Sequence, residues 1–263
     1  MNTLKTYLIA CLLFMGILNL KAQNYEVSVR TGDQISINNL LGEIKIEQHT
    51  GSKLVIETNF QKEIPEKAKG LKPIYSNGLK DNSGIGINVS KEGKVVNVTG
   101  LGKQTDSSNY LLKIPKGVDV RILSQSPYAR TKTIEVNNVA AEIEIIATNP
   151  DVKMDNVTGP VILNLINGNV DINFSKVNQQ TPVAISAING NVDITMPSNT
   201  PANLALGSIH GELFTDFDIN FGEKEKKGLA YAGGGEKIKG TINGGGVKFS
   251  VNAINENIYL RKK

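Results

Sequence analysis

Two aspartates at the same place in a repeated phrase are the residues of this sequence best spaced for chemistry. The phrase INGNVDI occupies residues 166–172 and 188–194, so Asp171 and Asp193 recur 22 positions apart. Stacked strands would place them one coil apart on an outer face, as paired carboxylates or an acidic metal site. Two carboxylates about 5 Å apart in water repel by only about 0.8 kcal/mol, and calcium takes about six or more oxygen ligands. We therefore interpret the pair as solvated surface, partly offset by Lys153.

A second acidic group follows where the repeats weaken. Asp216 and Asp218 would point to the same side of a strand, with Glu212 further back along it, because side chains alternate across a strand. Carboxylates in this arrangement could hold a cation or sugar hydroxyls. Glu212, Asp216 and Asp218 are therefore the candidate residues of a binding face. The sequence predicts no catalytic residue, no metal ligand and no cofactor.

Other combinations of reactive residue types do not form a recognisable active site. Ser208, His210 and Asp216 have the residue types of a hydrolase triad, but a serine and a histidine two positions apart on one strand do not establish its geometry. His49 and His210 are too few and too far apart to indicate zinc. A β-helix polysaccharide lyase or glycosidase would need clustered acids beside a basic residue. We predict that the protein is not an enzyme, with such a carbohydrate-active enzyme as the alternative.

The composition indicates a globular, strand-rich protein. The 263 residues are 40% hydrophobic but only 5% aromatic, without tryptophan, so Val, Ile and Leu must fill the core. These residue types favour strands. The formal charge of +4 comes from 29 basic and 25 acidic residues spread along the chain. Such a balance lacks the basic stripe of a nucleic-acid-binding protein, so we predict no nucleic-acid partner.

The first 22 residues have the features of a secretory signal peptide. Lys5 precedes an apolar run at 7–18, and Ala22 supplies a small residue for cleavage. The run is shorter than the roughly 20 residues needed to span a bilayer. We predict an exported protein in the periplasm, on the outer cell surface or secreted, with no integral membrane span after cleavage. Cys11 resembles a lipobox cysteine, but the apolar run continues beyond it, so a lipoprotein is not favoured.

Repetition of the phrase predicts stacked coils. Weaker copies are IHGELFT at 209–215, INGGGVKF at 242–249 and INENIYL at 254–260, and a second alternating segment lies between copies. A repeat of fixed period is typical of solenoids, in which each unit is completed by its neighbour. Asn-Gly between alternating apolar residues is also a hairpin signal, so an antiparallel β-sandwich or meander is the alternative.

Stacking the copies in register predicts which residues enter the core. One inward column would comprise Val152, Val170, Val192, Leu213, Val247 and Ile258. A second inward column would comprise Met154, Ile172, Ile194, Thr215, Phe249 and Leu260. The outward column between them would comprise Lys153, Asp171, Asp193, Phe214, Lys248 and Tyr259. The outward set is polar or aromatic throughout, as a solvated face requires.

The predicted fold class is all-β, a right-handed parallel β-helix or β-solenoid-like repeat with an irregular N-terminal β portion. We expect residues 1–22 to be the signal peptide and 23–263 to be a single β-solenoid domain, with irregular repeats at 23–136 and regular repeats at 137–263. We expect 255–263 to cap the stack, because Arg261, Lys262 and Lys263 would discourage edge-to-edge growth.

Several longer stretches resemble one family. They are LLGEIKIEQHTGSKLVIET at 40–58, KIPKGVDVRI at 113–122, DNVTGPVILNLINGNVDINF at 155–174, IHGELFTDFDI at 209–219 and INENIYLRK at 254–262. With the signal peptide, they make the chain similar to the adhesin β-strand-repeat family of exported bacterial proteins. His210 stands where the family usually has asparagine. The resemblance implies a β-helix or β-roll architecture and carries over no catalytic residues. It implies an exported non-catalytic adhesin or an envelope interaction or structural module, whose partner is an unknown envelope protein or glycan.

Overall fold

Strands dominate the part of the chain that the structure describes. The computed structural model describes residues 23–61, 65–102, 106–125, 132–222 and 237–263. The predicted signal peptide and Cys11 lie outside these residues. One short 3-10 helix, Glu66–Ala68, interrupts the strands of the described residues. None of the helical structure in the described ranges is long and apolar enough to cross a membrane.

The strands of the described residues are the following, in chain order. They are β1 (Gln23–Ser28), β2 (Gln34–Asn38), β3 (Glu43–His49), β4 (Lys53–Thr58), β5 (Ile87–Glu92), β6 (Val95–Gly100), β7 (Asn109–Pro115), β8 (Asp119–Ser124), β9 (Thr133–Asn137), β10 (Ile143–Ala147), β11 (Asp151–Val157), β12 (Val161–Asn167), β13 (Val170–Phe174), β14 (Val183–Asn189), β15 (Val192–Met196), β16 (Ala202–Ser208), β17 (Leu213–Thr215), β18 (Ile238–Ile242), β19 (Val247–Ala253) and β20 (Ile258–Lys262).

These strands form two sheets. Sheet A has the order β1-β4-β7-β3-β9-β11-β13-β15-β20-β17, and sheet B has the order β18-β16-β19-β14-β12-β10-β8-β2-β6-β5. Through the middle of the chain, successive strands alternate between the sheets, and neighbours within each sheet run parallel. We call one strand of sheet B and the following strand of sheet A a coil. The all-β, largely parallel architecture confirms the stacked-coil prediction over the antiparallel alternative, and the right-handed sense stays a prediction.

The core lies between the two sheets and is made of the residue types that the composition predicted. Val170 and Ile172 of β13 are buried, whereas Asp171 between them faces out. Each fully buried Val, Leu or Ile contributes about 1.5–3 kcal/mol through the apolar surface it removes from water. The alternation therefore fixes which face of each strand turns inward.

Antiparallel strands close the ends of the stack. At one end β1, β4 and β7 pair antiparallel in sheet A, and β5 pairs antiparallel with β6 in sheet B. At the other end β18 pairs antiparallel with β16. Phe217, just beyond β17, is buried against the end of the core. Antiparallel pairing thus occurs where the repeats are irregular or end.

The spatial order of coils departs from the chain order at both ends. Coil β2–β3 lies between β6–β7 and β8–β9, and coil β19–β20 lies between β14–β15 and β16–β17. The prediction that 255–263 caps the stack is therefore wrong, because β20 has a parallel neighbour on each side. Self-similarity identifies a coil but does not say which other coil it will pair with.

The predicted register is correct except for one copy. Val152, Val170 and Val192 pair in succession in sheet A, and the column continues through Ile258 to Leu213. The phrase at 242–249 instead leads into sheet B, where Val247 pairs with Ala202 and Phe249 with Val183. The cause is a tight turn: Asn243, Gly244 and Gly245 all have positive φ and reverse the chain from β18 into β19. Such φ values suit glycine and asparagine.

An ion pair between a buried aspartate and an exposed lysine lies at the N-terminal end of the stack. Asp33 is 5% exposed, and its Oδ2 accepts hydrogen bonds from Lys91 Nζ at 2.7 Å and from the Arg30 N–H at 3.0 Å. These donors hold the pKa of the Asp33 carboxyl below its ordinary value, Lys91 contributing most. The ion pair links Lys91 of β5 to Asp33, the residue that immediately precedes β2.

We expect this pair to make stability depend on pH in acid. The folded pKa of Asp33 lies below the unfolded value of about 3.9, so the unfolded chain binds the proton first. The contribution is complete above the unfolded pKa and is lost as the pH falls through the folded pKa. The midpoint of thermal unfolding, followed by circular dichroism as pH is lowered, should therefore fall less steeply in Asp33→Asn than in the parent chain. Asp218→Asn, which changes an exposed aspartate, is the control; an Asp33→Asn slope equal to the parent's would contradict the assignment.

Candidate functional site

The first asparagine of the repeated phrase builds a ladder along one corner of the stack. Asn167 Nδ2 donates to Asn149 Oδ1 at 3.0 Å, Asn189 Nδ2 to Asn167 Oδ1 at 2.8 Å, and Asn255 Nδ2 to Asn189 Oδ1 at 2.5 Å. The amides of Asn167 and Asn189 each donate to one neighbouring coil and accept from the other. In the outermost coil, the position of the first asparagine is occupied by His210, which is exposed. The ladder ends there.

The second asparagine of the phrase holds the backbone of the next coil. The N–H of Asn191 donates to Asn169 Oδ1 at 3.1 Å, that of Asn257 to Asn191 Oδ1 at 3.2 Å, and that of Glu212 to Asn257 Oδ1 at 2.8 Å. Asp151 plays the same part for the Asn169 N–H, at 2.7 Å. These bonds satisfy backbone donors where the chain leaves one sheet for the other. The asparagines of the phrase therefore act in folding.

Asp171 and Asp193 face outward from adjacent strands of sheet A, in register with Lys153. Arg261 binds Asp193 with two hydrogen bonds, from Nε to Oδ1 at 2.8 Å and from Nη2 to Oδ2 at 3.0 Å. Such a bidentate pair fixes both side chains. Partial loss of water and the nearby Asp193 charge raise the pKa of the Asp171 carboxyl. The pair thus has distinct environments, with Asp193 held in an ion pair that the sequence did not predict.

The three candidate binding residues flank β17, the last strand of sheet A among the described residues. The prediction that Asp216 and Asp218 lie on one side of a strand is wrong, because β17 ends at Thr215. Glu212 is exposed and immediately precedes that strand. Asp216 Oδ1 accepts the Lys262 N–H at 2.8 Å, and Asp218 Oδ2 accepts from Lys262 Nζ at 3.3 Å. The structure therefore brings Asp216 and Asp218 together at Lys262. The binding role of all three residues stays a prediction.

An exposed aromatic pair lies beside these carboxylates. Phe214 and Tyr259 pair across β17 and β20, with ring centroids 5.3 Å apart and planes at 12°. The guanidinium of Arg261 lies 5.3 Å from the centre of the Tyr259 ring, and Asn257 Nδ2 donates to the Tyr259 hydroxyl at 3.1 Å. Phe214 remains 45% exposed. We call Glu212, Phe214, Asp216, Tyr259 and Arg261 the aromatic patch.

The sequence contained a signal for the aromatic pair. Phe214 and Tyr259 occupy the outward position held by Asp171 and Asp193 in the stronger copies of the phrase. The outward column included both aromatic residues, but the order of coils was needed to place them side by side. The stacking was therefore missed as a functional feature.

A second exposed feature lies on the outer side of sheet B. The first isoleucine of four copies of the phrase faces outward there, and Ile166 and Ile209 are 44% and 43% exposed. Ile188 and Ile254 lie between them and are half-buried. Their neighbours Asn164, Ser186 and Asn252 are uncharged. This stripe was not predicted from the sequence.

The residues considered for a hydrolase triad and for zinc have structural contacts. Ser208 Oγ donates to the Glu256 carbonyl at 3.0 Å and accepts the Gly211 N–H at 2.9 Å. His49 is the last residue of β3, and its Nδ1 accepts the Gly51 N–H at 3.2 Å. Within the described ranges, no three His, Cys, Asp or Glu side chains group closely enough to hold a metal ion.

Two long, mostly parallel sheets closed by antiparallel ends define a stacked-coil all-β protein. The family model described as Toastrack DUF4097 matches residues 10–242, and the chain belongs to that family. No curated protein sequence matches it.

Solved structures that match this chain at low sequence identity carry adhesin names. A putative cell adhesion protein from Clostridium sporogenes is 11% identical, with a TM-score of 0.45, over 92% of this chain and 100% of its own. A putative adhesin from Bacteroides fragilis is 12% identical, with a TM-score of 0.41, over 90% of this chain and 95% of its own. One from Parabacteroides merdae is 12% identical, with a TM-score of 0.26, over 93% of this chain and 98% of its own.

Proposed function

We propose that this chain is an exported, non-catalytic adhesin-type module that binds an envelope component through the aromatic patch. The observation that carries the proposal is the exposure of Phe214, 45% of whose surface is open to solvent although its ring is stacked on Tyr259. Aromatic residues and arginine dominate the binding energy of many interfaces. The predicted signal peptide supports export.

The patch is rigid before any ligand arrives. β20 is bonded to a parallel strand on each side, Arg261 is fixed by Asp193, and the Tyr259 hydroxyl is fixed by Asn257. A binding surface that is already ordered loses less side-chain entropy when it binds. This preorganisation supports a binding role.

The charged side chains around the patch contact one another, which favours a binding role over a catalytic role. Asp193 is held by Arg261, and Asp216 and Asp218 contact Lys262. A general acid or base must exchange a proton with a substrate atom within hydrogen-bonding reach, and these carboxylates already accept hydrogen bonds from Arg261 and Lys262. They support the non-catalytic part of the proposal.

In-cell photo-crosslinking tests the proposal. A photoreactive amino acid at position 212 should give discrete crosslinked products on envelope components, whereas the same amino acid at position 164, on sheet B, should not. The 212 products should disappear in Phe214→Ser. If position 212 captures only bulk envelope proteins, at the level of an unrelated exported control, the binding role falls.

Two further measurements complete the test. The mature chain should be recovered from the exported fraction with its N-terminus at or near Gln23. Purified protein should release neither reducing ends nor unsaturated sugars from envelope glycans. Release of either product in proportion to the protein concentration would contradict the proposal that the protein is non-catalytic.

A further inference from the structure

We infer that the aromatic patch binds a neutral glycan, with the free face of the Phe214 ring stacking on a pyranose. This inference rests on the proposed function and names the ligand class of the same site. It draws on three features of the patch: the side of the ring that is open, the carboxylates beside it and the local balance of charge.

The stacking geometry leaves one ring face available. Tyr259 covers one face of Phe214 with nearly parallel planes. The other face turns away from β20, and β17 is the last strand of sheet A in the described part of the chain. An aromatic face carries partial negative charge, and one side of a pyranose presents a flat set of weakly positive C–H groups. The two surfaces match in shape and polarity.

Carboxylate acceptors flank the strand that carries Phe214. Glu212 immediately precedes β17 and Asp216 immediately follows it, two residues before and two residues after Phe214. The Glu212 side chain is exposed. Asp216 accepts the Lys262 N–H with Oδ1 and has a second carboxylate oxygen for a hydroxyl. Sugar hydroxyls at the rim of a stacked pyranose would donate to these carboxylates.

The charge of the patch disfavours a polyanion. The carboxylates of Asp193, Glu212, Asp216 and Asp218 outnumber the cations of Arg261 and Lys262, which already pair with Asp193 and Asp218. The excess of negative charge would repel a polyanion. A sugar without charge meets no such repulsion, and its hydroxyls can donate to the carboxylates.

The test uses recombinant residues 23–263 and neutral polysaccharides as probes. Affinity electrophoresis in gels containing a soluble β-glucan, a mannan or a galactan should retard the parent chain in at least one gel. Heparin, polygalacturonate and polylysine serve as charged probes. Titration calorimetry with tetrasaccharides of the retarding polymer then gives the dissociation constant.

Two variants with matched exposure assign the site. Phe214→Ser should weaken binding at least tenfold, and Ile166→Ser, which removes an equally exposed apolar side chain from sheet B, should leave it within twofold. Phe214→Tyr keeps an aromatic face and should retain binding, which guards against a folding artefact in Phe214→Ser. Glu212→Gln should weaken binding by less than Phe214→Ser.

The outcomes separate this inference from the proposed function. Retardation only by charged polymers, or equal binding by parent and Phe214→Ser, overturns the glycan inference. If no neutral polysaccharide binds while crosslinks from position 212 reach a protein and vanish in Phe214→Ser, the ligand class is wrong and the binding role stands. If neither crosslinks nor retardation occur, both are wrong.

Discussion

Removing residues 258–263 should abolish the native fold, whereas removing residues 23–28 should leave it intact. The first deletion takes out β20, which pairs with β15 on one side and β17 on the other and whose Ile258 and Leu260 are fully buried. Two such side chains contribute about 1.5–3 kcal/mol each, and two strand edges lose their partners as well. The sum approaches the roughly 5–15 kcal/mol that stabilises a typical domain.

The second deletion is a control of equal length. It takes out β1, which pairs only with β4 among the described strands and contains no fully buried residue. Urea unfolding followed by circular dichroism, on chains that otherwise span 23–263, measures both free energies. A 258–263 deletion that unfolds cooperatively within about 1 kcal/mol of its parent, a small loss on the scale of single substitutions, would contradict the assigned place of β20.

The second large effect is expected from Gly190→Ala, at the corner of a coil. A methyl group at position 190 would overlap the carbonyl oxygen of Gly168 in the neighbouring coil and crowd the Asn169 nitrogen. Both obstacles are backbone atoms, and the N–H of Gly168 is bonded to the Asn189 carbonyl. Relief therefore requires the coils to separate at the asparagine ladders. We expect a loss of at least about 3 kcal/mol, in the range of severe steric substitutions.

Gly102→Ala separates this steric effect from backbone strain. Gly102 has a φ of +143°, close to the +152° of Gly190, and a methyl group added there would meet open space, so the substitution should cost only the strain of the positive φ, about 1–3 kcal/mol. Thermal and urea unfolding of both variants provide the comparison. Equal losses in the two variants would show that close approach of the coils is not what requires glycine at position 190.

Alternation in the sequence predicted most of the buried side chains correctly, although Thr215, which was expected in the core, is exposed in the edge strand β17. Val170, Ile172, Val192 and Ile194 face inward, and Asp171 and its counterparts face outward, because burial of apolar residues on one face of a strand is set locally. The pairing of β20 with β15 is not local. All copies of the phrase present similar apolar columns, so any two of them could stack, and the pattern alone does not select the order.

The exposed positions of the candidate site residues could also be predicted from the sequence, whereas their contacts could not. The spacing of Glu212, Asp216 and Asp218 placed them on an outer face, where all three are exposed. Their contacts with Lys262 depend on β20 lying beside β17. The stacking of Phe214 on Tyr259 depends on the same adjacency. Features that require a particular neighbour could therefore not be derived from periodicity.

The β2–β3 and β19–β20 coils each lie between two other coils. This arrangement limits where further coils can be added to such a protein. Repeat proteins commonly gain length by duplicating a unit that then stacks on its neighbour. A coil appended after β20 would find both edges of that strand occupied, and one placed before β2 would meet the same obstacle. From β8 to β15, in contrast, chain order and spatial order coincide. Evolutionary or engineered lengthening is therefore expected as an insertion within that central segment, which would move the two ends of the stack apart without altering either.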